Sequence, residues 1–414
     1  MEYFSRYRSA ISLIAVVTSV ACSSKSDASA GSANFDGGSG GSPSSGGAST
    51  GGGDTGATGG TNTGGISGAS GSTSGGSANG GSGGVASGGS GGLASGGTGA
   101  SNGAGGVTSP SDGGVPAGFW DSSNIPAAKN VMMFKFLNRT NGQYTDGEVY
   151  WSFKNNGINE THSIADQPLY DMPANNSGRM YFYLCKTGDA TCASDPTKSK
   201  YYDFIEHTIG ATQYNGNTTR VDAFGIKIAM RLHCADGFDV AVGENYDTFA
   251  EDRAVTFQKF LDEVPDEFKP LAQPPNAPYR IVQPGAAGFD QGGANANYYD
   301  SFVDQLWSAN GLTIAKPGPN GSGLGSYPSV SAAIYRHVGA VAGTFDATGK
   351  LLDNSLWSNS STFYQSAPAD YYARFWHERA LNGKAYGFPY DDVGGYSSYI
   401  SHKNPQYMLV AIGW

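Results

Sequence analysis

Residues 23–118 consist almost entirely of Gly, Ser, Thr and Ala, and this tract limits what the rest of the chain can build. It holds 36 of the 63 glycines, and no Lys or Arg occurs from Ser26 to Ala128. A stretch so poor in apolar side chains cannot offset the entropy of ordering itself. It is expected to be a disordered tether, with ends on the order of 5–6 Å × √n apart. "GGSGG" at Gly37–Gly41 satisfies a hydrolase nucleophile pattern, but no strand or helix surrounds it to give the pattern meaning. Any folded core must come from residues 119–414, which are numerous enough to bury a sizeable one.

The segment before the tract reads as an export leader. Arg6 and Arg8 precede the apolar run "AISLIAVVTSVA", which ends at Cys22. A basic start, an apolar stretch too short for a membrane span and a small-residue ending make a signal peptide. "SVAC" looks like a lipobox, with Cys22 as the lipidated residue, although Ser19 departs from its usual Leu. Residues 1–22 are therefore expected to export the chain and anchor it to lipid. The expected location is the cell surface or outer membrane, with plain secretion as the alternative. In an exported chain, Cys185 and Cys192, which bracket "CKTGDATC", are expected to form a local disulfide. Cys234 is then left over, although pairing through it stays open.

A formal charge of −10 offers no basic footprint for phosphate, which sets nucleic acid aside. No Cys/His spacing reads as a metal site, and no glycine-rich loop in the ordered part opens a helix as a nucleotide site would. The 24 Tyr, 20 Phe and 6 Trp suit a large β core, and also suit stacking against sugar rings.

Short apolar runs broken by Gly, Asn and Asp fill residues 119–245: "NVMMFKFLNRT", "GEVYWSFKNN", "MYFYLC", "YYDFIEHTI" and "TRVDAFGIKIAMRLHC". These read as strands of a sandwich or barrel. Helical spacing then takes over. "DTFAEDRAVTFQKFLDEV" has Thr248 and Glu251 as a capping box, and "NYYDSFVDQLWSANG" stops at Gly311. "APADYYARFWHERALNG" has Pro368 early and Gly383 after its end. β patterning returns in "KAYGFPYDDVGGYSSYI" and "YMLVAIGW". The expected fold is mainly β: a β domain of residues 119–245 and 384–414, with a mixed α/β subdomain of residues 246–383 inserted or packed beside it. A wide groove between them is the expected ligand site.

Two carboxylates stand out in "FIEHTIGATQYNGNTTRVDAFG". Strand alternation puts Phe204, Glu206 and Thr208 on one face, and Arg220, Asp222 and Phe224 on one face of the next run. A tight Asn215-Gly216 turn would place Asp222 opposite Ile209, away from Glu206. A wide loop centred near Tyr214 would place Asp222 opposite Glu206, so cooperation is expected to require the wide loop. Such a pair serves as general acid and general base for glycoside hydrolysis, by inversion at roughly 6.5–9.5 Å and by retention at about 5–5.5 Å. Spacing alone equally describes solvated strand-edge charges. Asp391-Asp392 are adjacent, so at most one points into a cleft. Arg231, His233 and Asp236 read as structural.

"VDAFGIKIAMRLHCADG", "YGFPYDDVGGYSSYISHKNP" and "VAIGW", with "FKFLNRT", "DFIEHT" and "RVDAFG" in order, resemble glycoside hydrolase family 64. The resemblance spans roughly residues 120–414. It implies a thaumatin-like β domain and endo-acting, inverting hydrolysis of β-1,3-glucan to short laminari-oligosaccharides, with no cofactor or metal. It implies Glu206 as acid, Asp222 as base, and Thr208, Thr219, Asp391 and Asp392 along the glucan groove. The lipobox and the glycine-rich tether depart from a plain secreted enzyme of this kind. The low cysteine count departs from disulfide-dense plant thaumatin-like proteins. A monomer is expected, and the alternative is a non-catalytic, glucan-binding thaumatin-like surface protein.

Overall fold

The computed structural model describes residues 114–155, 157–317, 327–338, 344–353, 355–356 and 359–414. The expected leader with Cys22, and the tract up to residue 113, lie outside the described residues. The strands are β1 (Met132–Arg139), β2 (Val149–Asn155), β3 (Ile158–Ser163), β4 (Leu169–Met172), β5 (Asn175–Leu184), β6 (Tyr202–Ile209) and β7 (Gln213–Thr218). They continue with β8 (Ala223–Phe224), β9 (Lys227–Cys234), β10 (Asp239–Gly243), β11 (Ile281–Val282), β12 (Tyr399–Lys403) and β13 (Pro405–Gly413).

The chain is mainly β, in two principal sheets. One has the order β10-β9-β13-β1-β4 and the other β12-β7-β6-β5-β2-β3, while β8 and β11 form a small separate pair. The N-terminal β1 lies parallel to the C-terminal β13, with Met133 opposite Tyr407 and Arg139 opposite Gly413. The two sheets share one apolar core: Met132, Phe134, Phe136, Ile228 and Met230 from the first meet Trp151, Phe153, Phe182, Ile205 and Tyr214 from the second. β6 shows why. Asp203, Ile205, His207 and Ile209 are buried, whereas Glu206 and Thr208 on the opposite face are partly exposed. His207 is a core side chain. Its Nδ1 lies 2.9 Å from Asn175 Oδ1, and burial pushes its pKa down to about 3.

The hairpin between β6 and β7 is tight, contrary to the expected wide loop, and its turn is not at Asn-Gly. Ile209 faces Tyr214 and Glu206 faces Asn217. Gly210 N donates to Gln213 O at 2.8 Å across a turn whose centre is Ala211-Thr212. Asn215-Gly216 lies inside β7. A Cβ on Gly216 would come within 2.3 Å of Tyr214 Oη and 2.6 Å of Glu206 O. That glycine therefore answers a packing demand, not a turn.

Helices supply a second core. They are α1 (Tyr246–Ala250), α2 (Arg253–Glu263), α3 (Asp300–Asn310), α4 (Pro328–Arg336) and α5 (Tyr371–His377). The expected first helix is thus two. Asn245, not Thr248, caps α1 by accepting from Thr248 N, and Asp252 begins α2. α4 has no counterpart among the helices expected from the sequence. α3 ends at left-handed Gly311 as expected, whereas α5 stops at His377, before Gly383. Phe224 stacks on Trp376 at 4.5 Å in this core. Ala385, Phe388, Tyr390, Val393 and Tyr396 also pack into it, although the sequence reading groups them with the β domain.

The cap of α5 is electrostatically costly. Asp370 is buried, its Oδ1 accepts from Ala373 N at 3.0 Å, and burial pushes its pKa up to about 7. A carboxyl whose pKa rises on folding binds more protons folded than unfolded, so its contribution to stability is lost as pH climbs from about 4 to about 7. Asp370→Asn keeps the cap acceptor and removes the titration. Chemical denaturation should show the variant gaining several kcal/mol relative to the native chain between about pH 4 and 8. A pH-independent difference would refute the assignment.

Candidate active site

The exposed face of the second sheet carries one row of polar side chains at a common register. Arg179 on β5 faces Glu206 on β6, which faces Asn217 on β7, which faces Tyr399 on β12. Opposed residues project to the same side of a sheet, so these four form a line across it. Arg179 Nε donates to Glu206 Oε1 at 2.9 Å, and the same oxygen lies 2.7 Å from Arg179 Nη2. Arg179 Nη1 lies 3.5 Å from Asp222 Oδ2. The structure thus joins the two carboxylates singled out by sequence, but through a shared guanidinium and not by cross-strand pairing.

Asp222 arrives there because the chain leaves the sheet. β7 ends at Thr218, and the expected strand through Thr219–Asp222 is absent, so Arg220, Asp222 and Phe224 do not share a face. Arg220 turns inward instead. Its Nε and Nη2 each donate to Glu244 at 2.7 Å, and its Nη1 donates to Asp203 Oδ2 at 2.9 Å, with all three side chains buried. Asp203 Oδ2 also accepts from Gly225 N at 2.8 Å, and Glu244 Oε2 accepts from Ile228 N at 2.7 Å. Arg220 N donates to Tyr386 O, and Arg220 O accepts from Tyr372 Oη at 2.6 Å. Gly225 backs directly onto β6, since a Cβ there would lie 1.9 Å from Tyr202 O. Both ends of the segment bearing Asp222 are pinned, and Asp222 is left outside.

The two carboxyl groups sit in different surroundings. The Glu206 side chain is 23% exposed and that of Asp222 is 41% exposed. Burial raises the Glu206 pKa above the ordinary glutamate value. Arg179 opposes that shift, the charge of Asp222 adds to it, and a hydrogen bond from Asn217 opposes it. One group is thus biased toward holding a proton, while the other lies closer to water. Tyr386 stands nearby, its phenol held well above the ordinary range first by burial and then by the charges of Asp392, Asp391 and Glu206.

The other expected site residues divide. Thr208 lies on the Glu206 face, half-buried, and its hydroxyl accepts from Ser177 N at 3.0 Å. Asp392 is half-buried. Burial, reinforced by neighbouring Asp391, raises its pKa. Two placements differ from expectation. Thr219 is buried and its Oγ1 accepts from Val221 N at 3.2 Å, so it shapes the turn before Asp222. Asp391 is wholly buried. It pairs with Arg336 at 2.7 Å and His377 at 2.9 Å, and accepts from Gly387 N at 2.8 Å. Burial opposes its ionisation, but His377 and Arg336 outweigh that and hold its pKa below the ordinary range. Asp391 is committed to the helical core because a buried carboxylate needs every one of these partners. Cys185 and Cys192 are bonded, and Cys234 is buried and free. Among the described residues, no group of three or more His, Cys, Asp or Glu is placed to hold a metal ion.

Sequence reading missed Arg179, Asn217 and Tyr399. Starting the strand at Met180 cut off Arg179. Extending the alternation back one residue places Arg179, Tyr181 and Tyr183 on one face. Tyr399 is 43% exposed and its Oη donates to Asn215 Oδ1 at 2.9 Å, an exposed aromatic in the same row as Glu206, two strands away.

Arg220→Met removes the partner of two buried carboxylates. Breaking such a network costs about 3–5 kcal/mol, and denaturant unfolding should register a loss of that size. A loss under about 1 kcal/mol would show that the triad does not anchor the segment.

The family model described as Beta-1,3-glucanase matches residues 171–326 and 327–412. A glucan endo-1,3-beta-glucosidase of Arthrobacter sp. (strain YCWD3) is 25% identical over 258 residues, which cover 51% of this chain and 45% of that relative. The chain therefore aligns with less than half of that relative's length. The crystal structure of a GH family 64 laminaripentaose-producing beta-1,3-glucanase from Paenibacillus barengoltzii is 32% identical, with a TM-score of 0.55, covering 71% of this chain and 78% of that one. A GH64 beta-1,3-glucanase domain from Clostridium beijerinckii shares the fold at 23% identity and a TM-score of 0.57, covering 70% of this chain and all of that one.

Proposed function

The chain belongs to glycoside hydrolase family 64, and on that premise we propose that it is an endo-acting β-1,3-glucanase that works with inversion and releases short laminari-oligosaccharides. The observation that carries this reading is the placement of Glu206 and Asp222 on one guanidinium, at the exposed face of the sheet, in unequal surroundings. The Paenibacillus barengoltzii enzyme has been crystallised with laminarihexaose, which supports a β-1,3-linked glucan as the substrate here. We read the paired sheets as a thaumatin-like domain. The face bearing Glu206 and the segment bearing Tyr386 and Asp392 are read as walls of the substrate groove. The leader and Cys22 motif favour an exported, lipid-anchored setting, where the polymer is met outside the cell.

In the proposed reaction Glu206, protonated, gives its proton to the glycosidic oxygen as the bond from that oxygen to the anomeric carbon breaks. Asp222, ionised, takes a proton from water as the water oxygen bonds to the anomeric carbon from the opposite side. A proton affinity raised by burial suits Glu206 as the acid, and greater contact with solvent suits the group that must reach a water.

The test is digestion of laminarin by the native chain and by Glu206→Gln and Asp222→Asn, with reducing ends counted and products sized. Each substitution should lower kcat by about 10²–10⁴-fold while thermal unfolding stays near that of the native chain. Native rates from a folded Glu206→Gln variant would remove Glu206 from the acid role.

A further inference from the structure

During inversion by this pair, negative charge moves. Before the chemical step it resides on Asp222. Afterwards Asp222 holds the proton from water, and Glu206, having lost its own proton, is the carboxylate. A cation that touches both groups serves as counter-ion at the start and at the end, with no rearrangement in between. Fixed charges placed where charge develops are the strongest general device for lowering a barrier.

Arg179 has that geometry. Its Nε and Nη2 lie 2.9 and 2.7 Å from Glu206 Oε1, and its Nη1 lies 3.5 Å from Asp222 Oδ2. The contact is closer to Glu206, the group that gains charge. The guanidinium is held in place from below, 4.3 Å from the ring centroid of Phe204, its neighbour on the same face. The strand register fixes its height opposite Glu206.

We propose that Arg179 is a positioning residue for the hydrolysis, fixing the spacing of Glu206 and Asp222 and supplying the positive charge toward which negative charge shifts as Glu206 gives up its proton. This rests on the glucanase reading above. It assigns no contact between Arg179 and the sugar. Other groups around the pair are Tyr181 beside Arg179, Asn217 across from Glu206, and Tyr386 from the segment beyond α5, which itself lies near Asp392. Asn217 is uncharged, and the remaining three carry negative charge or none. Removing the guanidinium therefore leaves Glu206 facing Asp222 with no other counter-charge on it among the described residues, and its pKa must rise.

The test compares Arg179→Gln and Arg179→Lys with the native chain on laminarin across pH. Arg179→Gln should lower kcat by about 10²-fold, the scale of losing one preorganised charge stabiliser, with KM changed by less than about threefold. The alkaline limb of kcat/KM, which reports the acid, should move up by about one pH unit. Arg179→Lys should recover part of both effects. Equal losses in the two variants with unmoved limbs would mean a structural role only, and raised KM with native kcat would mean a substrate-binding role. Either result overturns the proposal. A substrate-free readout separates it from the glucanase reading: ¹³C NMR of labelled Glu206 should titrate higher in Arg179→Gln than in the native chain. An unmoved titration overturns the proposal whether or not laminarin is cleaved, whereas native inactivity on laminarin alone would overturn the glucanase reading.

Discussion

The buried contact of Arg220 with Asp203 and Glu244 is the constraint on which the candidate site depends. A guanidinium out of water needs its charge matched and its donors satisfied. Here two carboxylates from β6 and from just beyond β10 do both, and each also accepts from a backbone N–H where β8 gives way to β9. One ionic cluster thus fastens the inner side of the sheet to the segment that leaves β7. It also lies against the second core, since Arg220 sits 5.3 Å from the ring centroid of Phe224 and 5.7 Å from that of Trp376. Asp222 is only two residues away in sequence. Its position is a consequence of how Arg220 is buried.

On the other face of the same strand the chemistry is reversed. Asp203 and Glu206 are three residues apart on β6, so alternation sends one inward and the other outward. The inward acid is saturated with partners. The outward acid has one cationic partner and a neighbouring acid, and burial and the Asp222 charge raise its proton affinity while Arg179 and Asn217 lower it. A strand that alternates structural and reactive carboxylates lets a rigid core fix the outer row without competing for its protons.

Much of this was legible in the sequence where a local rule governs. The period-2 pattern of "YYDFIEHTI" assigned Glu206 and Thr208 to one face, which is the partly exposed one. Adjacency split Asp391 from Asp392, and the short "CKTGDATC" loop named its own disulfide. What failed depended on long-range packing. Asn215-Gly216 reads as a turn, yet Gly216 is small because the Tyr214 hydroxyl and the β6 backbone fill the space where its Cβ would be. Thr219–Asp222 reads as a strand, yet Arg220 is drawn inward by acids far along the chain. Asp391 reads as a groove residue, yet Arg336 and His377 claim it. No local pattern announces a partner 55 residues away. Glu206 and Asp222 do come to one guanidinium, but by a route the sequence did not announce: the expected cross-strand pairing is absent, and Arg179 touches both.

The central claim is that Glu206 and Asp222 act from opposite sides of the sugar ring, one giving a proton and the other activating water. Its most direct test is the anomeric configuration of the newly formed reducing end, followed by ¹H NMR during the first minutes of hydrolysis of a β-1,3-glucan, before mutarotation equalises the anomers. The account predicts that the α-anomer appears first. Initial release of the β-anomer would mean retention through a covalent intermediate, and would contradict it.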